Sequence, residues 1–181
     1  MARIGFRSKR GEDEAGDDER VDSSESFFQQ PDIGEDPRRD EWVYLAQGNE
    51  DDWQRLVDYT KEMRFGEHEV LIKAGERDRS LYFLTEGRVD LLLAQPHKPD
   101  RLVRTISSPA VFGEMGFIED RPRTMTIRGM TAGKVLRLDF EAFERLAGEQ
   151  PAIAQNLLFE LARVLSLRLR WATQAMSCGW Q

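Results

Sequence analysis

The chain is 181 residues long, with 26 Lys+Arg against 33 Asp+Glu, a formal charge of −7, one Cys and two His. That length fits one compact domain with an extension, and so few Cys and His exclude an internal disulfide and the usual Cys/His metal sites. The longest apolar runs, such as Leu91–Ala94, fall far short of the ~20 residues a bilayer span needs, and no apolar signal stretch opens the chain, so a cytoplasmic protein without membrane insertion is expected.

Residues 1–40 carry 12 acidic and 7 basic side chains and few apolar ones, with GEDEAGDDERVDSSE running from Gly11 to Glu25. Such a segment cannot bury enough surface to offset its ordering entropy, so 1–40 reads as a disordered acidic arm. It is either a solubilising tail or, through Phe27 and Phe28, a docking arm. A folded domain is expected over 41–177, with 178–181 as a tail.

Trp42 and Leu45 mark a possible early helical turn. Asn49 is a good N-cap, and Glu50, Asp51 and Asp52 place negative charge on the first turn. Trp53, Leu56, Val57 and Thr60 follow at helical spacing, which predicts a helix over 50–61. From Met63 the period becomes two. Val70 and Ile72 form a strand before a Gly75–Asp78 turn, and Leu81-Tyr82-Phe83-Leu84 reads as a buried strand ended by Glu86-Gly87. Val89, Leu91 and Leu93 alternate again, Gln95–Asp100 reads as a surface loop, and Leu102–Ile106 as a further strand. Strands over Arg123–Arg128 and Lys134–Leu138 flank a turn at Thr131-Ala132-Gly133. Phe140, Phe143 and Leu146 then mark a short helix ending at Ala147-Gly148. Pro151 opens a long one reaching about Gln174. The fold class is mainly β with flanking α: an antiparallel β jelly-roll barrel, one N-terminal helix and two C-terminal helices.

The stretch from Phe112 to Thr124, FGEMGFIEDRPRT, carries the chemistry. Gly113 and Gly116 flank Glu114 and Met115, and glycines let a ligand approach the backbone. A short helix starting here aims free N–H groups at an anion, and Arg123 offers a planar donor fork suited to phosphate. A carboxylate beside a phosphate needs a donor, which a ribose hydroxyl supplies. Together these residues describe a nucleotide-monophosphate pocket.

Phe112–Thr124 resembles, without gap, the phosphate-binding cassette of the cyclic-nucleotide-binding domain family, roughly F-G-E-[LM]-[AG]-φ-x-x-x-x-P-R-[AST] with φ apolar. That family includes catabolite-activator-type regulators, kinase regulatory subunits and gated ion channels. Gly75, the Leu81–Leu84 strand and Gly87 are similar too, and the resemblance covers roughly 53–169. It implies cAMP or cGMP as ligand. By the same resemblance Glu114 binds the ribose 2′-hydroxyl. Arg123 pairs with the cyclic phosphate, with help from backbone amides of Gly113, Met115, Gly116 and Thr124. Phe112 opens the cassette. Thr124 sits where base selectivity is partly set: a hydroxyl there is compatible with the guanine amino group, whereas Ala is commoner in cAMP-selective members. Met125 departs from the small residue often found next and narrows the base end. The alternative is a scaffold in which Glu114 and Arg123 pair with each other.

No catalytic or metal site is expected. His68, read as a strand-edge residue, and the solvated His97 lie far apart, Cys178 has no activating neighbour, and there is no G-x-S-x-G. Only about ten residues follow Leu169, leaving no room for a DNA-reading domain, and the chain is acidic, so nucleic acid is not an expected partner. On the last helix, Leu158, Leu161, Leu165, Leu169 and Ala172 form one stripe, and Leu157, Val164 and Trp171 an adjacent one. That is more than one packed face requires, and a homodimer through this helix is the possible use of the second. Arg168, Arg170 or Trp171 are candidates for a lid. The expected function is a stand-alone cyclic-nucleotide sensor that signals to an unidentified protein partner through its last helix or arm. The alternative is a nucleotide-free adaptor.

Overall fold

Buried alternation on both sides of one strand organises this molecule. The computed structural model describes residues 50–178. The acidic arm with Phe27 and Phe28, the Trp42–Leu45 turn and Asn49 lie outside the described residues. In chain order the elements are α1 (Glu50–Val57), β1 (Lys61–Phe65), β2 (Val70–Ile72), β3 (Ser80–Glu86), β4 (Arg88–Gln95), β5 (Lys98–Ser107) and β6 (Ala110–Phe112). Then follow α2 (Glu114–Glu119), β7 (Thr126–Gly129), β8 (Gly133–Asp139), α3 (Phe140–Glu149) and α4 (Pro151–Cys178).

The strands form two four-stranded sheets, β1-β8-β3-β6 and β2-β7-β4-β5, with antiparallel pairing throughout. This is the expected jelly roll, with its two sheets left unclosed rather than joined into a barrel. Central strand β3 explains the layering. Leu81 and Phe83 point to a cluster shared with the helices, which includes Trp53, Leu56, Phe117, Phe143, Leu157 and Leu161. Tyr82 and Leu84 point into the sandwich, against Phe65, Val89, Phe112, Ile127 and Val135. A strand covered on both faces has no need for polar alternation, which is why its sequence is a continuous apolar run.

Several boundaries differ from the sequence reading. Helix α1 stops at Val57, not at Lys61. The Val57 carbonyl accepts both the Thr60 backbone N–H and the Thr60 hydroxyl, each at 2.8 Å, which closes a turn and lets Lys61 start β1. The expected Gln95–Asp100 loop is a two-residue turn, because Gln95 already pairs with Lys98 and His97 takes φ 60°. Pro99 fits inside β5 because β5 is an edge strand, where a missing N–H leaves no ladder bond unmade. His68 is in the β1–β2 turn at φ 66°, not on a strand edge, and donates its N–H to the Gly129 carbonyl. The three-residue β6 escaped detection for want of length. The Arg123–Arg128 strand begins only at Thr126, since the Arg123 backbone is engaged elsewhere, as described below.

Helix α4 uses one continuous stripe to reach the sheet. Ile153, Ala154, Leu157, Leu161 and Val164 are buried, while Leu158 and Leu169 stay exposed at 44% and 68%. Leu161 therefore belongs with Leu157 and Val164, not with Leu158 and Leu169, with which its spacing groups it. Burying these side chains supplies on the order of 1.5–3 kcal/mol each.

Gly133 sets how closely β8, β3 and β1 approach. A Cβ there would fall 2.5 Å from Phe65 Cζ and closer still to the Glu86 carbonyl oxygen. Gly133→Ala is expected to cost about 1–3 kcal/mol in a urea melt, with the m-value unchanged.

Candidate functional site

Arg123 is the best-anchored residue of the segment between β6 and β7. Its backbone N–H donates to the Glu76 carbonyl and its carbonyl accepts from Gly75 N–H, both at 2.8 Å. The Gly75 turn, at φ 86°, thus clamps the end of the cassette. The side chain is equally held: Nη1 donates to the Gly113 carbonyl at 2.7 Å, and Nη2 to the Ser80 carbonyl at 2.7 Å and to Asp78 Oδ2 at 2.9 Å. The residue is 5% exposed, and its Nε has no hydrogen-bond partner. A permanently charged group this deep needs a counter-charge, which Asp78 provides.

The two cassette glycines are required by that guanidinium. A Cβ at Gly116 would sit 2.9 Å from Arg123 Nη1, and one at Gly113 3.0 Å from the same atom. Gly113 also takes φ 84°, a region that side-chain-bearing residues avoid. The sequence reading assigns these glycines to the approach of a ligand; they line the cavity and also make room for the arginine.

Glu114, the first residue of α2, is 5% exposed and does not pair with Arg123. Its Oε1 lies 2.5 Å from Arg168 Nη1, while Arg168 Nη2 donates to the Val111 carbonyl at 2.8 Å. Arg168 follows Val164 by four residues, so the buried stripe of α4 delivers it one turn beyond the last core contact. Of the three lid candidates, Arg168 reaches the site, Arg170 is exposed, and the Trp171 side chain lies outside the described set.

These groups surround one cavity of about 340 Å³, within the range of small-molecule sites. All seven residues singled out from sequence line it: Phe112, Gly113, Glu114, Met115, Gly116, Arg123 and Thr124. Phe112 stacks on Tyr82 with ring centroids 5.1 Å apart, closing the floor. Ile72, Leu91, Val103, Ile106, Met125 and Ile127 make the remaining wall apolar, which suits a flat base better than a second charged group.

Sequence reasoning missed three contributors. Arg104 stands on β5 at the cavity, where burial and then the neighbouring Arg168 charge push it down to about 10. An Arg among apolar strand residues was the only signal. Asp78 reads from sequence as a turn residue, and Ser80 falls just before the expected Leu81–Leu84 strand; only a fold that brings β3 under the cassette reveals them as the seat of Arg123. Burial raises the Asp78 carboxyl, but hydrogen bonds from Arg123 and Ser80 and the charges of Arg123 and Arg137 outweigh it, leaving the carboxyl below its ordinary value. Among the described residues no group of three or more His, Cys, Asp or Glu could hold a metal, and no helix is long and apolar enough to cross a membrane.

Residues 62–150 match the family profile of the cyclic nucleotide-binding domain. The chain is 28% identical over 94 residues to a cAMP-dependent protein kinase regulatory subunit of Emericella nidulans, covering 52% of this chain and 22% of that protein. It is 26% identical over 99 residues to the cAMP-activated global transcriptional regulator CRP of Salmonella typhimurium, covering 54% and 47%. The chain thus spans less than half the length of these curated relatives. Its fold resembles the crystal structure of a cyclic nucleotide-binding domain from Methylobacillus flagellatus, with a TM-score of 0.70 at 17% identity, covering 78% of this chain and 84% of the other.

The Asp78 contact carries a pH dependence. A carboxyl depressed on folding contributes stability that is present above its unfolded value near 3.9 and is lost as pH falls through the folded value. Asp78→Asn is expected to be less stable than wild type by about 1–3 kcal/mol at pH 7, with the gap closing as urea melts are taken below about pH 4.

Proposed function

Because residues 62–150 of this chain form a domain of the cyclic nucleotide-binding family, we propose that it is a cyclic-nucleotide sensor whose pocket takes the phosphate at Arg123 and the ribose at Glu114. The observation that carries this is the state of Arg123: a buried guanidinium on the cavity wall with three acceptors fixing its plane and Nε left without a partner. Nε is the donor an equatorial phosphate oxygen would take. Backbone N–H groups of Gly113, Met115, Gly116 and Thr124 would supply the rest. The ribose 2′-hydroxyl would donate to Glu114 and share it with Arg168, so α4 closes over the sugar when ligand is present. A ligand shifts such an equilibrium by its differential affinity for the two states.

The base end favours guanine. Guanine presents O6 and N7 as adjacent acceptors, a pair that an arginine fork reads bidentately, whereas adenine offers a donor beside N7. Arg104 is a charged fork beside Arg168 on a largely apolar wall, and the Thr124 hydroxyl can accept from the guanine amino group. The proposed ligand is therefore cGMP ahead of cAMP, acting in the cytoplasm with no enzymatic step. The signal would pass to a partner protein, or to a second copy, through the outward side of α4 and the acidic arm. Leu158 and Leu169 on that helix are exposed and recur at coiled-coil spacing with the half-buried Leu165.

A second reading has its own observation. Asp78 and Arg168 already neutralise Arg123 and Glu114, so the fold is charge-satisfied as a nucleotide-free adaptor. Thermal unfolding with cGMP, cAMP and linear GMP separates the two. At about 100-fold over Kd a bound ligand adds about 2.7 kcal/mol and raises the midpoint by roughly 5–10 °C. A shift with a cyclic mononucleotide supports the sensor; none with any of the three supports the adaptor.

Two variants refine the test by calorimetry. Arg123→Ala is expected to weaken binding by roughly 30- to several-thousand-fold, the equivalent of about 2–5 kcal/mol for a buried charged contact. Arg104→Ala is expected to weaken cGMP by about 5- to 150-fold and leave cAMP within about threefold.

A further inference from the structure

Helix α3 begins with an N-cap that is in position and unused. Asp139 has the extended backbone of a capping residue, φ −72° and ψ 149°, yet its side chain makes no bond to the helix amides. Its carboxylate is held elsewhere: Oδ1 lies 2.9 Å from Arg137 Nη2 and 2.8 Å from Ser80 Oγ, and Oδ2 lies 3.1 Å from Lys61 Nζ. The first helical amide, Phe140 N–H, donates to the Arg79 carbonyl instead.

The groups that restrain Asp139 lead back to Arg123. Arg137 Nη2 is shared, lying 3.3 Å from Asp78 Oδ1 as well as 2.9 Å from Asp139. Asp78 is shared in turn, because its Oδ2 accepts from Arg123 Nη2 at 2.9 Å. Arg137 Nε donates to Ser80 Oγ at 2.9 Å, and the Tyr82 hydroxyl stands 3.4 Å from Asp78 Oδ2. Arg123, Asp78, Arg137 and Asp139 thus form a row of alternating charge, running from the cavity wall to the start of the helix that leads into α4.

We propose that this row is a relay: an anion at Arg123 releases Asp78 to Arg137, and Arg137 in turn releases Asp139 to cap α3. It rests on the reading of Arg123 as the phosphate ligand. The unpartnered Nε shares an edge of the guanidinium with Nη2, whose two hydrogens are committed to Asp78 and the Ser80 carbonyl, so an anion seated on Nε reaches Nη2 as well and competes with Asp78. Asp78 then has one arginine fewer and draws Arg137 closer, lengthening the 2.9 Å contact to Asp139. A carboxylate at an N-cap is favoured by the helix dipole, so Asp139 has somewhere to go. Capping firms the first turn of α3, which sets the direction in which Pro151 launches α4 and hence where Arg168 falls.

The test reads hydrogen exchange at the amides of Glu141 and Ala142, the second and third helical positions that a capping side chain reaches. In the full chain, saturating cGMP, with occupancy checked by calorimetry on the same sample, is expected to slow these amides about fivefold, the effect of a typical cap. Arg123→Gln without nucleotide removes the competitor for Asp78 and is expected to slow them likewise. Asp139→Ser can cap but cannot bind Arg137 or Lys61 as an anion, so slow exchange is expected with and without nucleotide. Asp139→Ala is expected to exchange fast in both conditions while binding nucleotide within about threefold of wild type. A purely structural Asp139 predicts the opposite for Asp139→Ser, faster exchange from lost ion pairs, and that result overturns the relay. So does a cGMP-induced slowing that survives in Asp139→Ala. Absence of nucleotide binding would sink the sensor reading alone, since Arg123→Gln and Asp139→Ser decide the relay without ligand; should Arg123→Gln not fold, Asp139→Ser decides it.

Discussion

A guanidinium cannot be buried without a counter-charge and acceptors for most of its hydrogens, and meeting that requirement for Arg123 dictates much of the local architecture. Its acceptors come from two stretches far apart in sequence: the carbonyl before α2, and the Asp78–Ser80 segment, which supplies a carboxylate from the turn before β3 and the carbonyl that opens that strand. Each brings its own condition. The glycines at 113 and 116 leave room for the fork, and the Gly75 turn takes the arginine's own backbone as a short two-bond ladder. The cassette is therefore fixed by its last residues as much as by its helix, which at six residues contributes little dipole of its own.

Layering carries that local order outward. The sheet containing β3 is packed on both faces, one against the second sheet and one against α1, α3 and α4. Phe117 joins the two scales. It belongs to α2, meets Phe140 and Phe143 edge-on with centroids 5.4 Å away, and its carbonyl accepts from Arg79, whose guanidinium lies over the Phe140 ring. A shift of α2 is thereby felt at the start of α3, and through Pro151 by the long helix that carries Arg168. Tightly packed contacts of this kind transmit displacement because they have few intermediate arrangements.

Much of this was legible from the residues. Period-two alternation located most strands, Pro151 located the start of α4, and the Phe112–Thr124 pattern gathered seven residues that line a single cavity. What escaped had identifiable causes. Thr60 continued a helical spacing but used its hydroxyl to end the helix. Pro99 looked like a loop residue because edge strands tolerate what central strands do not. Leu161 fitted two stripes by spacing, and only the sheet beneath α4 chooses between them. Asp78 and Ser80 carry no local signal, since what makes them part of the site is Arg123, more than 40 residues away.

The two ends of the cavity are built to different tolerances. The Arg123 end is locked into the most buried strand, the cassette glycines and a ring of acceptors, so nearly any substitution there disturbs the core. Arg104 instead stands half-buried on β5, which among the described residues is an edge strand with one flank unpaired and six exposed residues leading up to it. Side chains on such a strand can be exchanged with little effect on the rest of the fold. On the proposed reading, ligand class and ligand identity would be written in separate parts of the molecule, and a lineage built on this scaffold could change the base it answers to without relearning how to fold.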